Sequence, residues 1–156
     1  MCGIVACIGS LDSPRIVLQS LKMLEYRGYD SWGIASLRDG VISIEKRVGR
    51  ISEANAALPC CHAAIGHTRW ATHGKVSEQN AHPHRDCSGK IAVVHNGIIE
   101  NFFGLKQMLL EKGHVFRSET DTEVIPHLIE EEMKTCADFR ESFGNAMRRL
   151  QGSFAE

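Results

Sequence analysis

Cys2 is the residue with the clearest chemical potential in this chain, because it lies directly behind the initiator Met1. Removal of Met1 would leave a thiol and a free α-amine on the same residue. An α-amine titrates near ~7.7–8.0 and a thiol near ~8.5, so the two groups can exchange a proton at neutral pH. This arrangement predicts a terminal nucleophile with its own base. The alternative is an ordinary buried cysteine at the start of a β-strand.

The elements that must position such a nucleophile are predicted to be mixed α and β. Ser13-Pro14 marks a helix start, and Asp39-Gly40 is typical of a hairpin turn. The hydrophobic patterns predict strands at 2–8, 32–37, 41–46, 63–67 and 91–95, helices at 13–26, 101–112, 122–133 and 138–150, and the start of a strand at 152. More than twenty polar residues separate two of these strands, and so long a connection indicates a functional loop.

Composition predicts one soluble domain. The 156 residues are 43% hydrophobic and 24% charged, with a formal net charge of −1. This balance favours neither nucleic acid nor a membrane surface as a partner. The N-terminus has no basic region before its apolar run, and no apolar stretch approaches ~18 residues, so we expect a cytoplasmic protein. In a reducing compartment the six cysteines are expected to be free thiols.

Two short clusters contain potential metal ligands. The first is Cys60-Cys61-His62, and the second is His82-Pro83-His84 with Cys87. Neither has the Cys-x-x-Cys spacing of a structural zinc site, so the sequence favours no metal. Phosphate-loop and dinucleotide-binding glycine patterns are also missing, and we expect no cofactor.

Several long motifs resemble one family in the right order. They are Glu25-Tyr26-Arg27-Gly28-Tyr29-Asp30-Ser31, Gly66-His67-Thr68-Arg69-Trp70-Ala71-Thr72-His73-Gly74, Asn80-Ala81-His82-Pro83-His84, His95-Asn96-Gly97-Ile98-Ile99-Glu100-Asn101 and Ser118-Glu119-Thr120-Asp121-Thr122-Glu123. Together with Cys2, they resemble the glutaminase domain of glutamine:fructose-6-phosphate amidotransferases, which are class II glutamine amidotransferases and N-terminal-nucleophile hydrolases.

The resemblance implies a fold, an activity and a larger protein. The fold would be an α+β structure, the αββα sandwich, and the activity would be transfer of the amide nitrogen of L-glutamine. Residues 1–156 would form an incomplete glutaminase domain. The full-length protein would use fructose 6-phosphate as acceptor, form glucosamine 6-phosphate, and dimerise through sugar-isomerase domains that this chain lacks.

Catalytic roles follow from the resemblance and agree with the chemistry of the side chains. The Cys2 thiol would attack the glutamine amide to form a thioester, with its own α-amine as proton carrier. The side-chain amide of Asn96 and the backbone N–H of Gly97 can converge on the developing oxyanion. The alternative for Asn96-Gly97 is a two-residue hairpin turn.

Substrate binding is assigned in the same way. The guanidinium of Arg69 suits the glutamine carboxylate, and Asp121 suits its ammonium group. Arg69 as a plain surface charge and Asp121 as a helix cap are the alternatives. By resemblance, Thr72 and His73 also contact glutamine, as does Gly97.

Further residues are expected to support the site by resemblance. Trp70 would belong to a mobile loop that shields the reacting amide, although a core tryptophan is the alternative. Arg27 would lie near the nucleophile, within the Arg27-Gly28 turn. His82, together with His84, would hold the loop around the site through hydrogen bonds.

Departures from the family pattern leave alternatives open. Ala6 and Trp32 stand where the family has smaller residues, and overpacking near Cys2 can cost ~1–3 kcal/mol. Amidophosphoribosyltransferase and asparagine synthetase share the nucleophile, so another class II amidotransferase is one alternative. A noncatalytic remnant that binds glutamine or a partner is another.

Overall fold

The computed structural model of the chain describes residues 2–54, 58–71 and 74–155, with only the backbone of 154 and 155. The strands are β1 (Gly3–Ile8), β2 (Ser31–Arg38), β3 (Val41–Val48), β4 (Ala63–Arg69), β5 (His84–Arg85), β6 (Ala92–Val93), β7 (Asn96–Ile99) and β8 (Gly152–Ala155). The α-helices are α1 (Ser13–Met23), α2 (Phe102–Glu111), α3 (Val124–Met133) and α4 (Phe139–Arg149). Every helix in these described ranges is too short or too polar to cross a bilayer.

The main sheet has four antiparallel strands in the order β1-β4-β2-β3. The predicted hairpin joins β2 to β3, with Asp39 and Gly40 at φ angles of 51° and 78°. Because β1 pairs with β4 from Gly3 opposite Thr68, the start of β1 lies beside the end of β4. This register brings Cys2 next to Arg69, which is 67 residues away in the chain.

One face of the main sheet packs against α1. The shared core contains Val17, Leu18, Leu21, Trp32, Ile34, Ile51 and Ala64. Gly66 makes this approach possible, because a β-carbon there would lie 2.7 Å from side-chain atoms of both Val17 and Leu21. Side chains alternate between the faces of a strand, so His67 and Arg69 point away from α1.

A second layer covers that opposite face. It contains the pairs β5–β6 and β7–β8, and α3 contacts β5 and β6 from the outer side.

A second apolar core lies among α2, α3 and α4. Its almost fully buried residues are Ile99, Leu109, Val124, Ile125, Leu128, Ile129 and Ala146. The layers approach closely at Gly33, where a β-carbon would lie 2.2 Å from the carbonyl oxygen of His82. The order of layers is therefore helix, sheet, strands and helices.

Two local predictions require correction. The predicted strand 91–95 is shorter, because β6 ends at Val93 and a separate strand, β7, begins at Asn96. The predicted helix 13–26 ends at Met23 and is followed by a 3-10 turn over Glu25–Arg27.

The two departures from the family pattern are accommodated differently. The side chain of Ala6 is exposed on β1, so its extra methyl group meets solvent. Trp32 is 4% exposed and belongs to the core beneath α1. Neither residue fills the space beside Cys2 where crowding was expected.

Candidate active site

A cavity of about 390 Å³ lies between the main sheet and the second layer. It is lined by Cys2, Arg27, His67, Arg69, Trp70, His82, His95, Asn96, Gly97, Ile98, Thr120, Asp121 and Thr122. Eight of the residues singled out from the sequence therefore surround one space. Thr72 and His73, which were expected to contact glutamine, lie outside the described residues.

The nucleophile candidate is held by its neighbours on β4. The Sγ atom of Cys2 accepts a hydrogen bond from the backbone N–H of Trp70 at 3.2 Å. The next residue, Gly3, donates its backbone N–H to Thr68 Oγ1 at 3.2 Å. Cys2 is half-buried, so the thiol remains open to the cavity.

Asn96 and Gly97 open β7 on the opposite side of the cavity. Asn96 Nδ2 donates a hydrogen bond to the backbone carbonyl of Cys2 at 3.1 Å, and His67 Nε2 lies 2.9 Å from Asn96 Oδ1. Because the Asn96 oxygen can only accept, His67 donates and so fixes the amide with its N–H groups towards Cys2. Gly97 has a φ angle of 133°, which favours glycine. Both residues pair with β8, so the hairpin-turn alternative is wrong.

Two opposite charges lie in the cavity. Arg69 is 4% exposed at the end of β4, and Asp121 is 9% exposed in a 3-10 turn before α3. Burial lowers the pKa of Arg69, whereas the negative groups of Cys2, Asp30 and Asp121 act in the opposite direction. Such a pair can bind the carboxylate and the ammonium of a free amino acid.

Asp121 does not act as a simple helix cap. One carboxylate oxygen accepts the backbone N–H of Ile99 at 2.9 Å, and the other accepts that of Thr122 at 2.9 Å. The first bond ties the 3-10 turn to β7, which carries Asn96. Each carboxylate oxygen has a second lone pair, so both can still accept from a bound ammonium group.

Trp70 lies at the rim of the cavity and is 43% exposed, which excludes a core role. Its ring makes an edge contact with Tyr29, with the centroids 5.0 Å apart. Behind it, Gly28 packs against the backbone of Arg69, where a β-carbon would lie 2.8 Å from the carbonyl carbon. Gly28 therefore sets the position of the strand end that carries Arg69.

The cavity also contains residues to which the sequence assigned no role. All five lie within the family motifs, but their residue types and spacing alone indicate no function: His67, His95, Ile98, Thr120 and Thr122. His95 Nδ1 lies 2.9 Å from Thr122 Oγ1, and its backbone N–H donates to His82 Nδ1 at 3.3 Å. The second bond agrees with the supporting role expected for His82.

Burial keeps the histidines of the cavity neutral. Desolvation lowers the pKa of His67 to about 4 and that of His95 below its ordinary value. The pKa of His82 lies well below its ordinary value, because the ring is buried and neighbouring histidines also disfavour its charge. Neutral imidazoles add no positive charge to compete with Arg69.

Comparisons with known protein sequences give one consistent family. Residues 67–156 match the family model described as a glutamine amidotransferase domain. The chain is 54% identical to a glutamine–fructose-6-phosphate aminotransferase (isomerizing) from Pyrococcus horikoshii and 50% identical to one from Streptomyces coelicolor. Each match covers 99% of this chain but only 27% and 26% of those relatives. The chain thus spans about a quarter of their length.

Solved structures show the same fold. A glutamine phosphoribosylpyrophosphate amidotransferase from B. subtilis superposes with a TM-score of 0.82 at 29% identity over 99% of this chain and 34% of its own. An allosteric regulatory enzyme of purine biosynthesis gives a TM-score of 0.86 at 28% identity, with the same coverage. The α+β fold is that of the N-terminal-nucleophile hydrolases, and the chain belongs to the glutamine amidotransferase domain family.

Proposed function

We propose that the chain is the glutamine-hydrolysing part of an isomerising glutamine:fructose-6-phosphate aminotransferase. The observation that carries this proposal is one cavity that contains Cys2 and Asn96 beside the opposite charges of Arg69 and Asp121. Amide hydrolysis requires a nucleophile and an oxyanion donor, and a free amino acid requires partners for its two charged groups. The names of the relatives, which are about half identical over nearly the whole chain, support the same activity.

The first half of the reaction forms a thioester. After removal of Met1, the α-amine of Cys2 takes the thiol proton, and the sulfur forms a bond with the side-chain amide carbon of glutamine. The amide oxygen becomes negative and is stabilised by Asn96 Nδ2 and the backbone N–H of Gly97. The α-ammonium group then gives its proton to the leaving nitrogen, the C–N bond breaks, and ammonia departs.

The second half regenerates the enzyme. Water, deprotonated by the same α-amine, attacks the thioester carbon, and the negative oxygen again meets Asn96 and Gly97. The C–S bond breaks, the thiolate recovers its proton, and glutamate leaves. A nucleophile that carries its own base needs no separate catalytic histidine, which is consistent with the neutral, hydrogen-bonded state of His67.

The two charged side chains provide selectivity for free glutamine. Arg69 binds the α-carboxylate through a forked pair of charge-assisted hydrogen bonds, and Asp121 binds the α-ammonium. Glutamine within a peptide has neutral amides at both places, so it forms neither of these two charge-assisted contacts. Thr72 and His73 complete the glutamine contacts, and Trp70 covers the reacting amide during turnover.

The acceptor chemistry belongs to the longer protein. Its acceptor is fructose 6-phosphate, its product is glucosamine 6-phosphate, and residues 1–156 form an incomplete glutaminase domain that is followed by sugar-isomerase domains. Those domains form a homodimer, and neither nucleic acid nor a membrane is a partner. A cytoplasmic location is part of the same proposal, since all six cysteines are free thiols.

The deciding experiment compares donor and acceptor chemistry. We expect the 156-residue chain to convert glutamine to glutamate at most, and the longer protein to form glucosamine 6-phosphate from glutamine and fructose 6-phosphate. Glutamate is measured with a coupled dehydrogenase assay, and the sugar by mass spectrometry. Amino sugar made by the 156-residue chain alone, or no use of fructose 6-phosphate by the longer protein, contradicts the proposal.

A second candidate follows from the solved structures. The B. subtilis amidotransferase acts on phosphoribosylpyrophosphate by its name, and its fold superposes closely. Sequence favours the aminotransferase, because identity is 54% for the Pyrococcus relative and 29% for this structure. Parallel assays of the longer protein with each acceptor separate the two candidates.

A further inference from the structure

A second cluster of reactive side chains lies apart from the glutamine cavity. It consists of Cys87, His114, His127 and Glu130, each of which offers one ligand atom, and all four atoms lie within 4.8 Å of one another. The two Nδ1 atoms are 3.3 Å apart, and Cys87 Sγ lies 3.8 Å from that of His114 and 3.6 Å from that of His127. Glu130 Oε2 lies 3.1 Å and 3.6 Å from the same two nitrogens.

These distances match those between the ligand atoms of a tetrahedral metal site. Zinc binds nitrogen and oxygen at ~2.0–2.2 Å and thiolate sulfur at ~2.3 Å with tetrahedral angles. Such bonds place two nitrogen ligands ~3.4 Å apart and a sulfur ~3.6 Å from a nitrogen. The observed separations of 3.3, 3.6 and 3.8 Å agree with this geometry.

The outer nitrogen of each imidazole faces a carboxylate. His114 Nε2 lies 3.1 Å from Glu131 Oε2, and His127 Nε2 lies 3.7 Å from Glu123 Oε1, the latter a longer ion-pair contact. When each ring directs its outer N–H towards this carboxylate, its lone pair is on Nδ1. Both lone pairs then point into the cluster, towards the sulfur and the carboxylate oxygen.

A cation at the centre of the cluster would coordinate both Nδ1 lone pairs, the sulfur and the carboxylate oxygen at once. A thiolate on Cys87 and the carboxylate of Glu130 supply two negative charges, which a divalent ion neutralises. Both histidines are buried, at 5% and 1% exposure, whereas Cys87 is exposed and provides a route from solvent. Sulfur and imidazole ligands in tetrahedral geometry favour zinc over magnesium or calcium, which prefer oxygen ligands.

The ligands come from three separate segments. Cys87 follows β5, His114 follows α2, and His127 and Glu130 lie three residues apart on one face of α3. The 3-10 turn directly before α3 carries Asp121. An ion at this point would fasten that turn and its helix to the β5–β6 strand pair.

We propose that Cys87, His114, His127 and Glu130 form a structural zinc site that joins α3 to the β5–β6 pair and the end of α2. Four protein ligands fill the tetrahedron, so the ion has no open position for substrate. When zinc binds, the Cys87 S–H bond breaks, the proton passes to solvent and a sulfur–zinc bond forms, without oxidation or reduction. The site shares only Cys87 with the two short sequence clusters, and its other three ligands are distant from Cys87 in the chain.

Metal content and a spectroscopic probe test the proposal. The protein is purified without a histidine tag, equilibrated with Zn²⁺, passed through a weak chelating resin and analysed for zinc. We expect one equivalent in the unchanged protein and in the controls Cys136→Ser and His62→Gln, and background levels in Cys87→Ser and His114→Gln. Zinc retained at one equivalent by both cluster variants overturns the proposal.

Cobalt titration gives a measurement that needs no variant to fold. Co²⁺ added to the metal-free protein should saturate at one equivalent and produce the intense visible bands of a tetrahedral ion together with thiolate charge-transfer absorption. Weak octahedral bands without the thiolate absorption, or no uptake, overturn the proposal.

The outer carboxylate provides a finer test. Glu131 also pairs with Lys112 and Lys134, so Glu131→Gln leaves neighbours that remain solvated. We expect Glu131→Gln to weaken zinc binding by ~10–100-fold in chelator competition. Glu132→Gln, which loses only an ion pair with Arg149, should leave the zinc affinity unchanged. Equal affinities in the two variants contradict the assigned orientation of His114.

Discussion

The chain uses buried histidines in two regions with different neighbours. Around the glutamine cavity, the histidines bond neutral partners: His67 meets Asn96, His84 meets Thr120, and His95 meets Thr122, at 2.9 to 3.0 Å. His82 stacks on His67, with the ring centroids 4.2 Å apart. Burial lowers the pKa of all four histidines, so these rings position other groups as neutral hydrogen-bonding side chains.

In the cluster around Cys87, the partners of the histidines are carboxylates and not neutral groups. Each of its imidazoles faces a carboxylate with the outer nitrogen, and both inner nitrogens face Glu130. Burial is similar in the two regions, so burial alone does not distinguish a ligand histidine from a structural one. The partner of the outer nitrogen distinguishes them, because a carboxylate orients the ring and makes its other nitrogen a stronger ligand for a metal.

The largest expected effect is the loss of glutamine hydrolysis when Cys2, but not the zinc ligand Cys87, is the residue replaced. Cys2→Ala should lower glutamine hydrolysis by at least ~10³-fold, because it removes the attacking atom, while zinc content stays at one equivalent. Cys2→Ser should also be severely impaired, since a hydroxyl is far less acidic than a thiol. Glutamate release is measured in the longest active form of the protein, and intact mass checks for loss of Met1. Full activity in Cys2→Ala, or equal activity with Met1 retained, removes Cys2 from its proposed role.

Metal removal should lower the stability of the fold, because the proposed ion is structural and has no position open to substrate. A ligand that binds only the folded state stabilises it by about 4 kcal/mol when its free concentration is 1,000 times Kd. We therefore expect chelation to lower the free energy of unfolding by several kcal/mol, and zinc to restore it. Urea denaturation measures both steps. Zinc should not raise the unfolding free energy of Cys87→Ser, whereas it should raise that of Cys136→Ser as in the unchanged protein. Equal responses of the two variants would mean that Cys87 does not bind the ion.

Loss of either charge in the cavity should weaken glutamine binding. Arg69→Ala and Asp121→Asn each leave a charged substrate group without its partner, which costs about 3 kcal/mol, or roughly 100-fold in affinity. Calorimetric titration gives the affinity, and thermal melting shows whether the fold is intact. Zinc content should not change in either variant. Unchanged glutamine affinity in both rejects the assignment, while unfolding of Asp121→Asn alone makes its bond to Ile99 the dominant role.

The smallest expected effect concerns pH. His67 has a folded-state pKa of about 4, below the ordinary value of about 6.5, because it is buried and neutral. Its neutral ring is fully compatible with folding above pH 6.5, and as pH falls towards 4 the unfolded state gains the proton and stability declines by about 2–3 kcal/mol. His67→Gln, which keeps a donor for Asn96, should reduce the slope of the unfolding free energy against pH between pH 6.5 and 4. A slope equal to that of the unchanged protein would mean that His67 titrates normally.

Local signals predicted most of the fold. Asp39-Gly40 identified the β2–β3 hairpin, and the apolar spacing of α1 identified the helix on the sheet. Sequence did not predict β7, because Asn96-Gly97 is typical of a turn, whereas both residues pair with β8 in the structure. Pairing with a strand near residue 152 is a tertiary event that no local pattern records.

The candidate site divides in the same way. Cys2, Asn96 and Asp121 lie in motifs that the resemblance could identify, and the register of β1 against β4 explains why distant motifs meet. The zinc cluster has only one local signal, the three-residue spacing of His127 and Glu130 on α3. Cys87 and His114 reach it through packing among separate segments, which is why a search for closely spaced ligands overlooked it.

Gly28 has an evolutionary consequence. Its contact is with the backbone of Arg69 and not with the guanidinium. A lineage can therefore exchange the side chain at position 69, and with it the preferred donor molecule, without disturbing position 28. The reverse path is closed, because any side chain at position 28 displaces the strand end whatever residue follows at 69. We therefore expect glycine at position 28 to be retained in relatives that act on other substrates, where the residues that contact the substrate differ.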